Sequence, residues 1–144
     1  MSGSITSTNA VFTISVPSIF SIPVQLQEFS AEDIFTTQAV QTTETSMGLD
    51  GVLSGGKVFV PVPQTVSLQA NSPSNAVFDQ WAQQEEADGE TYSAEGIIIL
   101  KSLGKKWTMT NGFLVSYQPA PDAGKTLRPR RYGLLWNKMF PSNV

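Results

Sequence analysis

The stretch QTVSLQANSPSNAVFDQWAQQEEADG, Gln64–Gly89, decides the fold, because the apolar period changes inside it. Val66, Leu68 and Ala70 alternate with polar neighbours, the period-two signature of a strand over Gln64–Ala70. Ser72 then reads as an N-cap, Pro73 as the first helical residue and Gly89 as the terminator, predicting a helix over about 73–87. Val77, Phe78, Trp81 and Ala82 form one apolar stripe, opposite Asp79, Gln80, Gln83 and Gln84. A helix with one apolar stripe covers a face or an open end of something else. Glu85, Glu86 and Asp88 crowd its C-terminal end, where the helix dipole prefers cations. A basic neighbour would relieve them, and the arginine-rich C-terminal segment is the concentrated supply.

Outward from this stretch the chain reads as strands. Phe12, Ile14 and Val16 alternate with Thr13 and Ser15; Ile22, Val24 and Leu26 alternate around Pro23, which places that strand at an edge or a bulge. Ser30–Asp33 reads as a turn. Gly96–Leu100 is a buried strand, joined by a short turn to Trp107–Tyr117. A loop rich in Pro and Gly follows, and the last strand runs over about Arg130–Phe140 with Tyr132, Leu134 and Trp136 on one face. About seven strands and one helix predict a mainly β chain: a β-sandwich or small barrel of two packed antiparallel sheets, one flanking helix at about 73–87 and a long protruding β-hairpin at about 36–60. Residues 1–144 are expected to form a single β domain, with 1–9 a flexible polar arm.

The hairpin is the main functional clue. Gln38–Met47 is rich in Thr and Gln and shows no apolar face; Asp50-Gly51 supplies the turn, and Lys57-Val58-Phe59-Val60 returns as a strand. A hairpin without an apolar face gains little from its own core, and an isolated hairpin is marginal in water. Either it is a loose loop or it pairs outside its own subunit.

Composition excludes several chemistries. The 144 residues contain no His and no Cys, so there is no imidazole base, no Ser-His-Asp triad, no thiolate and no disulfide. No apolar run is long enough to span a membrane, and the apolar stretch Val11–Val24 is broken by Pro17 and Pro23; a soluble, unprocessed chain is expected. Ser and Thr together number 29, about a fifth of the chain.

The net charge of −3 conceals a segregation. Residues 1–100 carry −10 with Lys57 as their single cation, whereas residues 101–144 carry +7 with Asp122 as their single acid. On one reading, C-terminal strands lie beside N-terminal ones and the charges cancel within the molecule. On the other, the two signs lie on different faces and favour head-to-tail self-association or a charged partner.

No arrangement of residues reads as a catalytic site. Glu85-Glu86 and Glu32-Asp33 fit solvated surface better than a working carboxylate pair. Asp50-Gly51 lacks the following oxygen ligands of a calcium loop, and Gly48, Gly51, Gly55 and Gly56 lack the Lys-Ser/Thr of a phosphate loop. Trp107, Tyr117, Tyr132 and Trp136 fit core positions better than a sugar platform. No catalytic, cofactor or metal residues are assigned, and no enzyme activity is expected.

One family matches the order of parts. Leu26-Gln27-Glu28-Phe29 ends a strand pair before an acidic turn. The polar strand leads to Met47-Gly48-Leu49-Asp50-Gly51. Pro61-Val62-Pro63-Gln64 through Asn71-Ser72-Pro73 then leads into the Phe78-Asp79-Gln80-Trp81 helix, and Gly104-Lys105-Lys106 and Leu127-Arg128-Pro129-Arg130-Arg131 close the chain. Over residues 10–140 the chain resembles the tail tube proteins of long-tailed bacteriophages, particularly small ones from contractile tails. The resemblance implies a structural virion protein, assembled in the host cytoplasm, whose hexameric rings stack head-to-tail into a hollow tube. It implies partners as well: the tail sheath protein, the tape-measure protein, baseplate and neck proteins, and DNA in transit without sequence specificity, with no membrane insertion. The long hairpin would contact a neighbouring ring.

On this basis Glu44, Met47, Asp50, Lys57, Arg128, Arg130 and Arg131 are expected at inter-subunit or lumen contacts, with Glu44 and Asp50 near the lumen or the ring junction. Reversing the three arginines is expected to weaken stacking or sheath contact while sparing the fold. Two alternatives stand beside the tube reading: a non-polymerising β-sandwich module that binds glycan or protein in a fibre or baseplate, and a ring-forming tail initiator or terminator.

Overall fold

The computed structural model of the chain describes residues 10–27, 29 and 35–144. Its elements are β1 (Ala10–Val16), β2 (Phe20–Gln25), β3 (Phe35–Thr37), β4 (Thr43–Met47), β5 (Leu53–Lys57), β6 (Val62–Leu68), α1 (Asn75–Asp88), β7 (Ala94–Leu100), β8 (Lys105–Tyr117) and β9 (Arg130–Asn143). The expected arm over 1–9, the turn at Ser30–Asp33 and the Glu32-Asp33 pair lie outside the described residues.

The mainly β class, the single flanking helix and the protruding hairpin are as expected. Seven strands form one antiparallel sheet in the order β2-β1-β7-β8-β9-β6-β3, and β4-β5 form a second, two-stranded sheet. The sandwich arises from the larger sheet curling over itself rather than from two large sheets facing each other. Phe12 on β1 meets Phe35 on the far edge strand β3 edge-to-face, with ring centroids 5.7 Å apart. A lone bridge, Phe29 to Leu68, spans the seam between the sheet's two margins. Among the described residues the ladder does not continue across that seam, and no closed barrel forms. Pro23 sits in β2 at one margin, where a residue without an N–H costs the ladder nothing.

The alternation read from β1 holds: Phe12, Ile14 and Val16 are buried inside the curl with Leu26, Val66, Leu68, Ile98, Met109, Tyr132, Leu134 and Trp136. Fully burying a large apolar side chain contributes roughly 1.5–3 kcal/mol, so these residues are the main source of stability. Trp136 sets the local fit, since its ring lies where a Cβ on Gly112 would have to be, and a Cβ on Gly96 would come within 3.0 Å of it. Its Nε1 donates to the buried Gln64 Oε1 at 2.9 Å, so the indole can neither move nor lose its partner cheaply.

The helix closes one opening of this curl. Phe78 stacks on Tyr132 with centroids 4.1 Å apart, and Trp81 Nε1 donates to the Tyr92 carbonyl. The Tyr132 hydroxyl donates to Asn75 Oδ1, while Asn75 Nδ2 donates to the carbonyls of Gln69, Ala70 and Ser72. The helix begins two residues later than Ser72 and Pro73 suggest, with Ser74 as its N-cap residue. The Ser72 hydroxyl is committed elsewhere, donating to the Gln27 carbonyl and accepting from Ser74 N–H, so it tethers the chain after β2 to the helix entrance. Gly89 terminates the helix in the left-handed region at φ 67°, as expected.

Several strand boundaries also differ. The strand at 64–70 runs from Val62 to Leu68 and leaves Ala70 outside; Val58–Val60 is not in a strand; and the final strand extends to Asn143. Among the described residues nine strands form where about seven were expected; the long polar segment yields three short ones, β3, β4 and β5.

Candidate assembly surfaces

β4 and β5 pair from Thr43↔Lys57 to Met47↔Leu53, and all ten of their residues are exposed. The turn is self-sufficient: Val52 N–H donates to Asp50 Oδ1, Gly48 N–H to the Val52 carbonyl, and Gly51 N–H to the Gly48 carbonyl with Gly51 at φ 82°. Asp50 therefore has a local role in shaping the tip. The stem is polar on both faces, as expected, but the tip is not. Met47, Leu49, Val52 and Leu53 are all exposed, Leu49 completely, and together they form an apolar cap on a polar stalk. Sequence reasoning missed this cap because the four residues straddle the turn and never form a run; their density between 47 and 53 was the available signal.

At the root of the hairpin, Val58, Phe59, Val60, Met139 and Phe140 line an open groove of about 410 Å³, with Phe59 83% exposed. A second open groove, of about 620 Å³, lies between α1 and the end of β8, with Ala82, Leu114 and Val115 as its apolar part and Glu85, Glu86 and Glu90 as its acidic part. Among the described residues no group of three His, Cys, Asp or Glu side chains could hold a metal ion. No described helix is long and apolar enough to cross a membrane.

The seven expected contact residues fall into three places. Glu44, Met47, Asp50 and Lys57 are together on the exposed hairpin. Arg128, in the loop before β9, and Arg131, on β9, are exposed elsewhere. Arg130 is different: it is buried within its own subunit, and the expectation that it is a surface contact is corrected. Its Nη2 donates to Asp79 Oδ1 at 2.7 Å and to the Gln118 carbonyl at 2.8 Å, and its guanidinium lies over the Tyr132 ring. The hydrogen bond from Arg130, with a smaller one from the Tyr117 hydroxyl, outweighs desolvation and holds the Asp79 carboxyl below its ordinary value of 3.8. The same Asp79 contact is the chief reason the Arg130 pKa is raised.

The acids at the end of α1 are not relieved by those arginines. Asp88 accepts from Gln84 Nε2 and from the Tyr92 hydroxyl, which lowers the pKa of the carboxyl and raises that of the phenol to about 12. Glu85 Oε2 accepts from Tyr92 N–H at 2.9 Å. Among the described residues one ion pair forms, Asp79–Arg130, so cancellation of charge inside the subunit is local.

Comparison with known proteins adds two findings. The family described as Tail fiber protein gp32 matches residues 3–140. Among solved structures, the fold is similar to a sheath/tube terminator of the extracellular contractile injection system PVC, at TM-score 0.68 and 10% identity over 97% of each chain. It is also similar to a chain of the PVC sheath-tube complex, at TM-score 0.64 and 13% identity over 98% of this chain and 93% of that one. The tube-terminating cap of the anti-feeding prophage matches at TM-score 0.62 and 14% identity over 100% and 94%. At such identities the likeness establishes the fold. No curated protein matches the chain.

Proposed function

The chain belongs to the Tail fiber protein gp32 family, and from that premise we propose that it is a ring-forming structural subunit of a contractile phage tail. In this reading six copies form a ring, and rings stack head-to-tail into the inner tube. The tube would house the tape-measure protein and then pass DNA, with the sheath outside and the baseplate and neck at its ends. The single observation that carries the reading is the hairpin β4-β5, which forms a two-stranded sheet with no buried residue and an apolar cap. Burying that cap requires a surface beyond its own core. The near-complete two-way coverage of the PVC sheath/tube terminator and of a chain of the PVC sheath-tube complex supports the same reading, since no large insertion or missing half separates the folds.

A second reading is a ring that stops at one layer, as an initiator or terminator. The two similar structures described as a terminator and a cap favour it. Negative-stain electron microscopy with solution mass separates the two. Hollow stacks of rings support the tube subunit, and single closed rings support the terminator. A strict monomer at every salt concentration overturns both and favours a non-polymerising fibre module.

A further inference from the structure

β8 runs between two surfaces of opposite charge. At its start, the turn Lys101-Ser102-Leu103-Gly104-Lys105 leads into Lys106, with Leu103 exposed at its apex. This turn is pinned by Leu103 N–H to the Leu100 carbonyl, by Gly104 N–H to the Lys101 carbonyl, and by Val144 N–H to the Gly104 carbonyl. Gly104 takes a φ of 63°, so the protrusion has a defined shape. Near the other end of β8 lies the α1–β8 groove, where Ala82, Leu114 and the exposed Val115 offer an apolar floor and Glu85, Glu86 and Glu90 an acidic margin. Ten residues of strand separate Lys105 from Val115, roughly 33 Å. A turn at one end cannot reach the groove at the other end of its own strand.

We propose that the Lys101–Lys106 turn of one copy docks in the α1–β8 groove of a second copy, Leu103 against Leu114 and Val115, and Lys101, Lys105 and Lys106 against Glu85, Glu86 and Glu90. Among the described residues none of these six charges has an ion-pair partner within the subunit. The exposed Arg131 does not compete for the groove: it alternates with Arg130, which faces α1, and so points to the opposite face of the sheet. Because the two surfaces differ and lie at opposite ends of one strand, the contact is heterologous, and where it does not close on itself it propagates from copy to copy, as stacking requires. It rests on the reading of the chain as a stacking subunit and identifies which surfaces stack.

A charge exchange tests it. One variant carries Lys101→Glu, Lys105→Glu and Lys106→Glu; the other carries Glu85→Lys, Glu86→Lys and Glu90→Lys. Facing like charges cost several kcal/mol, so each variant alone is expected to form roughly tenfold or more fewer stacks than the unmodified chain by negative-stain microscopy and sedimentation. An equimolar mixture is expected to restore stacks, since each turn then meets a groove of opposite sign. A misfolded variant could not be rescued in this way, so rescue also certifies both folds. Normal stacking by either variant alone overturns the contact, as does a mixture of two folded variants that fails to stack. If the unmodified chain forms only single rings or monomers, the stacking premise itself fails, an outcome distinct from both.

Discussion

Asp79 on α1 and Arg130 at the start of β9 stand fifty-one positions apart and form a charge-assisted hydrogen bond of 2.7 Å that fastens the helix to the sheet. The guanidinium is 7% exposed and the carboxylate 34%, so neutralising the carboxylate leaves a buried cation without its counter-charge, still held by the Gln118 carbonyl. Asp79→Asn is expected to cost about 1–2 kcal/mol in urea unfolding, a figure reduced for the solvent that reaches Asp79. Arg130→Glu faces one carboxylate with another and is expected to cost about 3–5 kcal/mol. Arg128→Glu and Arg131→Glu, both at exposed positions, should leave the unfolding midpoint within about 0.5 kcal/mol of the parent. A probe of assembly by arginine reversal therefore belongs at Arg128 and Arg131 only.

The same pair sets an acid limit. Folding lowers the pKa of Asp79, chiefly through the Arg130 hydrogen bond. A carboxyl depressed on folding adds stability above its unfolded pKa, and the increment is lost as pH falls through the folded value. The melting temperature of the parent should therefore exceed that of Asp79→Asn at neutral pH, and the gap should close as pH drops below the ordinary carboxylate value of 3.8. A gap that persists unchanged to about pH 2 would assign the stabilisation to packing instead.

Gly112→Ala tests the seat of Trp136. The added methyl meets the indole ring, and the ring is held by its bond to Gln64. Destabilisation of about 2–3 kcal/mol is expected, with loss of the share of the near-ultraviolet dichroism that Trp136 contributes. Gly56, where an added Cβ meets nothing within 4 Å, is the matched control and should tolerate Ala within about 0.5 kcal/mol.

The hairpin tip separates assembly from folding. Met47, Leu49, Val52 and Leu53 contribute nothing to the core, so a Leu49→Asp, Val52→Asp variant should melt within about 1–2 °C of the parent. Its rings or stacks should be lost from electron micrographs. Normal assembly by this variant would remove the hairpin from the interface.

Much of this architecture was legible in alternation. Phe12-Ile14-Val16 and Tyr132-Leu134-Trp136 are buried as their period required, because a half-buried strand leaves a strict record in every second residue. That register also held the answer for Arg130, which is two residues before Tyr132 and hence on the inward face. Reading three arginines as one exposed cluster overlooked it. The helix start was misjudged for a different reason: Ser72 has the chemistry of a cap, but its hydroxyl serves Gln27, forty-five positions away, and local sequence carries no trace of that partner. The bridge from Phe29 to Leu68 across the seam is equally long-range. The hairpin's polar stem was legible and its apolar cap was not, since no periodicity relates residues on two sides of a turn.

The exposed pairing of β4 with β5 has a kinetic corollary. Amide hydrogens in a ladder exchange with solvent at the rate of the cheapest opening that frees them. Those of Ser46 and Ser54 sit in a two-stranded ribbon that no core residue restrains, whereas those of Phe113 and Leu135 lie in a central ladder between packed strands. In the free subunit the ribbon should exchange within seconds while the central ladder waits for global unfolding. Capture of the ribbon by a neighbour would slow the first class and leave the second unchanged. Deuterium uptake at Thr43–Lys57 thus works as a built-in occupancy gauge, reporting from inside each chain whether its neighbour has arrived.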